Sequence, residues 1–450
     1  MPQQSHGELG REGPGEARVV PQSAETPKAV RGKGDSGTAS LMERVVSHSN
    51  LTTALKRVRE NNGSPGIDGM TVEELQAFWD EREDDLREQL LRGTYRPPAV
   101  RRVQIPKDSG GTRELGIPTV TDRLIQQAIL QVLQPLIDPT FSEHSYGFRP
   151  GRSAKGAVEA ARAFVQKGKR YVVDMDLEQF FDRVNHDILM DRLAKRIPDK
   201  RVLRLIRRYL ESGVMLDGVV VSRHEGTPQG GPLSPLLANV LLDEVDRHLE
   251  ARGHTFVRYA DDCNVYVGSR RAGLRVMAGL RRVYARLCLK VNETKSAVGS
   301  VAKRKILGYS MWFGPQGRVC LRVAEKALEK MKKRVRDVTT RKRGVSIKRI
   351  AEELRSYLTG WRNYFNRAET PGAFDEIDKW IRHRMRALHL KQWKRGRTMY
   401  AELMKRGCSQ DRAAIIAGNA RRWWRNSAMN LNGALPNAYF DRLGIPRLGR

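Results

Sequence analysis

The chain has few of the residues that build stapled or metal-clipped folds. Its four cysteines, Cys263, Cys288, Cys320 and Cys408, stand far apart in 450 residues. None forms a Cys-x-x-Cys pair or has a histidine at zinc-ligand spacing, which excludes a disulfide framework and a zinc finger. Long apolar runs are also missing: no stretch approaches the roughly 20 residues that span a bilayer, and no signal-type hydrophobic segment opens the chain. The expectation is a protein with no membrane partner, and the bacterial cytoplasm is its default location. Acidic residues are scarce, 51 against 82 Lys and Arg, which leaves a formal net charge of +31 and a pI near 10.4. That balance predicts attraction to a polyanionic partner.

A hydrophobic content of 40% is enough for real cores, and the length allows two to four domains. Residues 1–40, rich in Gly, Pro, Ser and Glu, read as disordered, and their five acidic residues argue against a transit peptide. The positive charge is uneven: residues 321–450 hold 32 of the Lys and Arg but 12 of the Asp and Glu, a net of +20. Five of the seven tryptophans, Trp361, Trp380, Trp393, Trp423 and Trp424, lie in that stretch. Arginine interleaved with aromatic rings suits phosphate contact and base stacking, although some of these tryptophans belong to a core.

The pattern from Leu41 to Arg92 is helical, broken at NNGSPGIDG, with a capping box where Thr71 precedes Glu74. RRVQIPKDSGGTRELGIP predicts a hairpin with Lys107 and Arg113 on or near its tip, and a long helix follows over Val120–Ile137. RYVVDMD reads as a strand, EQFFDRVNHDILMDRLAKRI as one amphipathic helix, and residues 271–289 as another. KVNETKSAVG and KILGYSMWFG predict a further strand pair. Beyond Val323 only helices are expected.

In RYADDCNVYV, Asp261 and Asp262 sit between two runs of β-branched and aromatic residues. Asp is a common turn residue, but a two-residue hairpin prefers Gly at its second position, so turn energetics do not account for the pair. Adjacent carboxylates call for a positive partner, and hard oxygen ligands suit Mg2+ or Mn2+. Asp174 and Asp176, two apart on a strand, share a face. If that strand lies beside the hairpin, up to four carboxylates converge, which suits two-metal nucleotidyl transfer.

YADD (residues 259–262), the strand ending at Asp176 followed by LEQFFD, and GTPQGGPLSPLLAN (226–239) resemble the signature blocks of reverse transcriptases. FRPGRSA (148–154), ILGY (306–309), LRSYLTGWRNYF (354–365) and DKWIRHRMR (378–386) are similar to the group II intron reverse transcriptase and maturase family. The likeness runs in order from about residue 41 to 390. It implies an α+β fold: a right-hand polymerase with fingers and palm, an antiparallel sheet plus helices, followed by an all-α thumb and maturase region. The implied organisation is a disordered segment 1–40, a helical extension 41–92, fingers and palm 93–315, thumb and maturase helices 316–395, and a basic tail 396–450 that could contact DNA. The endonuclease of longer members is not expected, because no cysteine pair follows Gly407 and no histidine follows His389.

Carried over by motif, the resemblance makes Asp176 and Asp261 the principal ligands of two Mg2+ ions, with Mn2+ as a substitute. Asp262 is the third catalytic carboxylate and the Leu177 carbonyl assists. Asp174 matches no ligand position. Phe181, five residues after Asp176, is the ring expected to exclude a 2′-hydroxyl, while Phe180 faces the core. Lys107 and Arg113 would meet the triphosphate, Gln229 the nascent pair or template, and Lys295 the leaving pyrophosphate. Arg382, Arg384 and Arg386 are expected on intron RNA. The implied activity is RNA-directed DNA polymerisation with dNTPs, an RNA template and a DNA primer or target, together with binding of group II intron RNA to assist splicing and retrohoming. A splicing cofactor without significant polymerase activity, or a reverse transcriptase recruited to defence or DNA repair, is the alternative. The particular intron and the oligomeric state are not encoded in any motif.

Overall fold

The computed structural model describes residues 41–449 apart from 107–109, 217–218, 222–224, 228–229 and 430. Helices α1 (Leu41–Val45), α2 (His48–Glu60) and α3 (Leu75–Arg92) pack around a common apolar stripe. The capping box forms: Thr71 N donates to Glu74 Oε2 at 2.7 Å, and Glu74 N to Thr71 Oγ1 at 3.4 Å. Strands β1 (Val100–Pro106) and β2 (Thr112–Ile117) make the expected antiparallel hairpin. Helix α4 spans Val120–Ile137 as read from the sequence, because Thr119 caps it by accepting from Asp122 N at 3.1 Å.

The central layer follows. Helix α5 (Ala154–Gln166) leads into β3 (Tyr171–Met175). The segment expected as one helix instead starts as a 3-10 turn, Phe180–Arg183, and restarts as α6 (His186–Ala194). The reason is local: Asn185 is an N-cap whose side chain accepts from Ile188 N at 3.0 Å, and a capping Asn competes with helix continuation. Helix α7 (Lys200–Glu211), the short strands β4 (Val214–Leu216) and β5 (Val219–Val221), and α8 (Ser234–Glu250) come next. Strands β6 (Thr255–Tyr259) and β7 (Asp262–Val267), helix α9 (Arg270–Arg286) and β8 (Ala297–Ser300) complete the layer. One sheet runs β2-β1-β4-β5 and the other, antiparallel, β6-β7-β3-β8.

In that second sheet the period-two alternation separates two faces. Val173, Met175, Cys263 and Val265 turn toward one core together with α8 and α9. Val172, Val257 and Tyr266 turn toward the other, with α5. The strand pair expected from residues 290–314 is divided: β8 joins β3, whereas β9 (Lys305–Ile306), β10 (Tyr309–Phe313) and β11 (Val319–Val323) form a separate sheet.

After Val323 the described residues are helical: α10 (Glu325–Val338), α11 (Ile347–Tyr364), α12 (Pro371–Trp393), α13 (Gly396–Lys405), α14 (Gln410–Gly418), α15 (Trp423–Met429) and α16 (Asn437–Arg442). Residues 396–449 are no appended tail. Met399, Leu403, Ile416, Leu435 and Phe440 are buried in the same core as Leu354, Leu358 and Met385. Among the described residues no helix is long and apolar enough to cross a membrane.

Candidate active site

Tyr259 pairs with Asp262 across β6 and β7, so the two residues of the turn are Ala260 and Asp261. The expectation that Asp261 and Asp262 together form the tip is off by one, since Asp262 is the first residue of β7. The left-handed backbone falls on Ala260, with φ +57°, a position where a hairpin normally uses Gly and where a Cβ costs about 1–2 kcal/mol. Its surroundings hold it there. Arg258, fully buried, donates to the Ala260 carbonyl at 3.0 Å, to Asn239 Oδ1 at 2.8 Å, and through two nitrogens to Asp246 at 2.8 and 2.6 Å. Burial raises the Asp246 pKa, and the guanidinium forked onto it opposes the rise. On the outer side Gly147 lies so close that a Cβ there would stand 2.2 Å from Ala260 N.

The register Asp174↔Asn264 on β3 and β7 sets Asp174 on one face with Asp262, and Asp176 just past the end of β3 continues that alternation. Asp176 is fixed by backbone: its amide donates to Ser296 Oγ at 3.0 Å, and its carbonyl accepts from Asn292 N at 2.8 Å and Ser296 Oγ at 3.2 Å. The same loop brings Lys295 Nζ to 3.5 Å from Asp176 Oδ2. Asp174 lies 3.5 Å from Arg304 Nη1. Protein atoms crowding the Asp262 carboxyl, and then the charges of Asp261, Asp176 and Asp174, push it up to about 7, although the residue as a whole is exposed.

Such crowding is relieved by a cation, and the donor set is all oxygen, so the residues fit a hard divalent ion. No three His, Cys, Asp or Glu side chains among the described residues close into a ready metal cage.

Leu177 is buried and its backbone forms a lone antiparallel bridge to Val291. Phe180 is buried, and Phe181, half-buried, meets it edge-on at 5.1 Å. The Phe181 carbonyl accepts from Thr227 N at 2.7 Å, which seats the start of the GTPQGG loop beside the ring. Lys107 and Gln229 lie outside the described residues, and of Arg113 only the backbone is described, paired with Ile105 one step inside the last pair of the hairpin. Beyond Asp174 a cleft of about 810 Å³ opens, lined by Arg304, Lys305, Arg322, Lys326 and Phe374 among others.

Residues 105–311 match the reverse transcriptase (RNA-dependent DNA polymerase) family and residues 328–407 the group II intron maturase-specific domain. The chain thus carries a reverse transcriptase domain followed by a group II intron maturase-specific domain. Its relatives include Protein YkfC of Escherichia coli, 39% identical over 42% of this chain and 51% of that protein. The group II intron-encoded protein LtrA of Lactococcus lactis is 36% identical over 43% of this chain and 32% of its own. Nuclear intron maturase 1 of Arabidopsis thaliana is 26% identical over 32% and 27%. The chain thus spans about half the length of the first of these and about a third of the second. A chain of the solved partial Cas6-RT-Cas1–Cas2 complex matches 56% of this chain and 43% of its own at 26% identity and a TM-score of 0.36.

In the maturase region the three arginines expected on RNA are engaged elsewhere. Arg382 is buried against Asp441 at 2.9 Å and Asp378 at 3.3 Å. Arg386 is buried, donating to the Leu435 carbonyl at 2.9 Å and Asn437 Oδ1 at 2.8 Å, with its guanidinium over Phe440. Arg384 donates to Thr339 Oγ1 at 2.7 Å and lies over Trp380. The reason is that Arg382 and Arg386 face the 435–441 segment while Arg384, on another side of α12, reaches the end of α10, so these arginines tie helices together. Of the tryptophans, Trp361 is in the core, while Trp424 is exposed and stacks on His383 at 3.9 Å. Of the supports of the turn, Arg258, Asp246 and Gly147 lie outside the candidate site residues read from the sequence, and the one sequence signal for them is a charged Arg258 inside an apolar strand; Asn239 closes the GTPQGGPLSPLLAN block and the Asn292–Ser296 loop carries Lys295.

Proposed function

We propose that the protein is an RNA-directed DNA polymerase, encoded by a group II intron, that also binds the intron RNA to assist splicing and retrohoming. The observation that carries the reading is the crowding of Asp262 by Asp261, Asp176 and Asp174 at the open end of a rigid hairpin. Asp176 and Asp261, with Asp262 as third carboxylate and the Leu177 carbonyl assisting, would hold two Mg2+ ions, or Mn2+. When bound, these supply activation of the primer 3′-hydroxyl and charge stabilisation on the reacting triphosphate. The chain's own groups position the partners. Lys295, already beside Asp176, faces the departing pyrophosphate, and Lys107 and Arg113 clamp the dNTP phosphates. Gln229 touches the templated pair, and Phe181 packs under the sugar. The basic cleft beyond Asp174 accommodates the template and primer phosphates.

The test is primer extension on an RNA template by the wild-type chain and by Asp261→Asn. Loss of one carboxylate should remove several kcal/mol of transition-state stabilisation, on the order of a thousandfold in rate, with melting unchanged. Near-normal extension by the variant would overturn the assignment. An inactive wild type that still accelerates intron splicing would favour a splicing cofactor instead.

A further inference from the structure

Helix α9 covers the face of the palm sheet turned away from the carboxylates: a Cβ at Gly273 would meet Val298, Val173 and Val267, all on that inner face. On its outer side Arg271, Arg275, Arg282 and Arg286 are all exposed. At 3.6 residues per turn the four fall within about 60° of one another, and at 1.5 Å per residue they span about 22 Å. Arg271 and Arg275, and again Arg282 and Arg286, are like charges at i,i+4, an arrangement that destabilises an isolated helix. No carboxylate among the described residues pairs with any of the four. Arg281, on a different side of the helix, does have one, Glu293 at 3.1 Å. Folding therefore gives no reason for the stripe.

Beside it lies a pocket of about 370 Å³ whose charged lining is Lys169, His248, Arg252, His254, Arg275 and Arg282, with no carboxylate. Arg252 Nη1 stands 3.0 Å from His248 Nδ1, which fits a neutral imidazole accepting from the guanidinium. Burial, followed by the charge of Arg252, lowers the pKa of both histidines. Thr255 and Tyr266 line the pocket and pair at the far end of the hairpin from Tyr259 and Asp262. Four residues of strand, about 14 Å, separate it from the catalytic end.

We infer that this surface is a second RNA-binding site: the pocket holds one phosphate of a sugar-phosphate backbone and the stripe holds its neighbours. A small anion would fill the pocket and leave the stripe unused, so its length calls for a polymer. The stripe carries no aromatic residue, so it recognises phosphates and shape and not bases. That the polymer is RNA rests on the function proposed above.

The experiment uses the full chain with Arg271, Arg275, Arg282 and Arg286 all changed to Gln, and a second variant with only Arg275→Gln and Arg282→Gln in case the first folds poorly. The probe is a blunt RNA hairpin of about 20 base pairs, longer than the roughly 16 that a shape-reading RNA module spans. Affinity at low salt should fall at least tenfold, and the slope of log K against log salt should flatten by about three for four lost contacts at roughly 0.7–0.9 each. Extension of a short primer-template should stay within twofold of wild type. Unchanged affinity and slope would overturn the site. So would a stripe-dependent affinity for anionic vesicles or for tripolyphosphate alone, without one for the hairpin. A wild type that binds the hairpin through these arginines but extends no primer would leave this surface standing and remove the polymerase reading.

Discussion

The palm and the helical region place their charges in opposite ways. In the palm, carboxylates are pushed together at a solvent-facing strand end, with Lys295 and Arg304 standing 3.5 Å from Asp176 and Asp174, while Arg258 is buried on the reverse face, locked to Asp246. In the helical region, where basic residues outnumber acidic ones most, the arginines of α12 turn inward and are consumed by Asp378, Asp441, Thr339 and backbone carbonyls. A local excess of one sign therefore does not locate a binding surface. What matters is whether each charge has a partner within the fold, and by that measure Arg271, Arg275, Arg282 and Arg286 of α9, which pair with no carboxylate among the described residues, mark a surface better than the arginines of α12 do.

The comparison breaks most sharply at Arg258. Replacing it with Met leaves Asp246 buried without its cation, a loss of about 3–5 kcal/mol for a pair of this kind. It also frees the Ala260 carbonyl, so melting and primer extension should fall together. Arg258→Lys restores the charge but not the fork, so stability should recover more than activity. If Arg258→Met melts like the wild type, the network does not hold the turn.

Two neighbouring rings separate stability from selectivity inside the palm. Phe180→Ala empties a core position and should cost about 3–5 kcal/mol. Phe181→Ala should leave melting nearly unchanged while the ratio of kcat/KM for dCTP over CTP drops by one to two orders of magnitude, the equivalent of roughly 1–3 kcal/mol of lost steric exclusion. The reverse outcome would shift the gate to Phe180.

On the helical side, Arg382→Met should lower stability by about 1.5–3 kcal/mol, the range for hydrogen bonds to charged groups. The loss is moderated because Asp378 keeps the amides of Leu448 and Gly449, and Asp441 keeps Arg447. The salt dependence of RNA binding should not change. A flatter slope with unaltered melting would return this arginine to the RNA.

Much of the frame was legible in local pattern. The bounds of α4 follow from an apolar helix preceded by Pro118 and Thr119, and the β1–β2 hairpin from alternation around a Gly-rich turn. The turn at Asp261 was misplaced by one residue because nothing in an alanine announces a left-handed backbone, as a glycine would. The break before α6 was written in Asn185, a residue that suits an N-cap better than a helix interior. The separation of β8 from β10 depends on pairing partners more than 100 residues away in sequence. The inward arginines of α12 share that reason: Asp441 is 59 residues from Arg382, and no periodicity reports such a contact.

The segment ahead of Phe148 also settles how the palm sheet keeps to itself. Strand β6 is one of its two edge strands, and an open strand edge invites pairing with another chain. Here the Arg258 amide donates to the His144 carbonyl at 2.9 Å and the Arg258 carbonyl accepts from Tyr146 N at 2.8 Å. The peptide groups beside the Ala260–Asp261 turn are thus already occupied by the protein's own backbone. Loosening that strap, for instance by Ser145→Pro, would expose an apolar strand next to the carboxylate cluster and turn a folding defect into edge-to-edge aggregation.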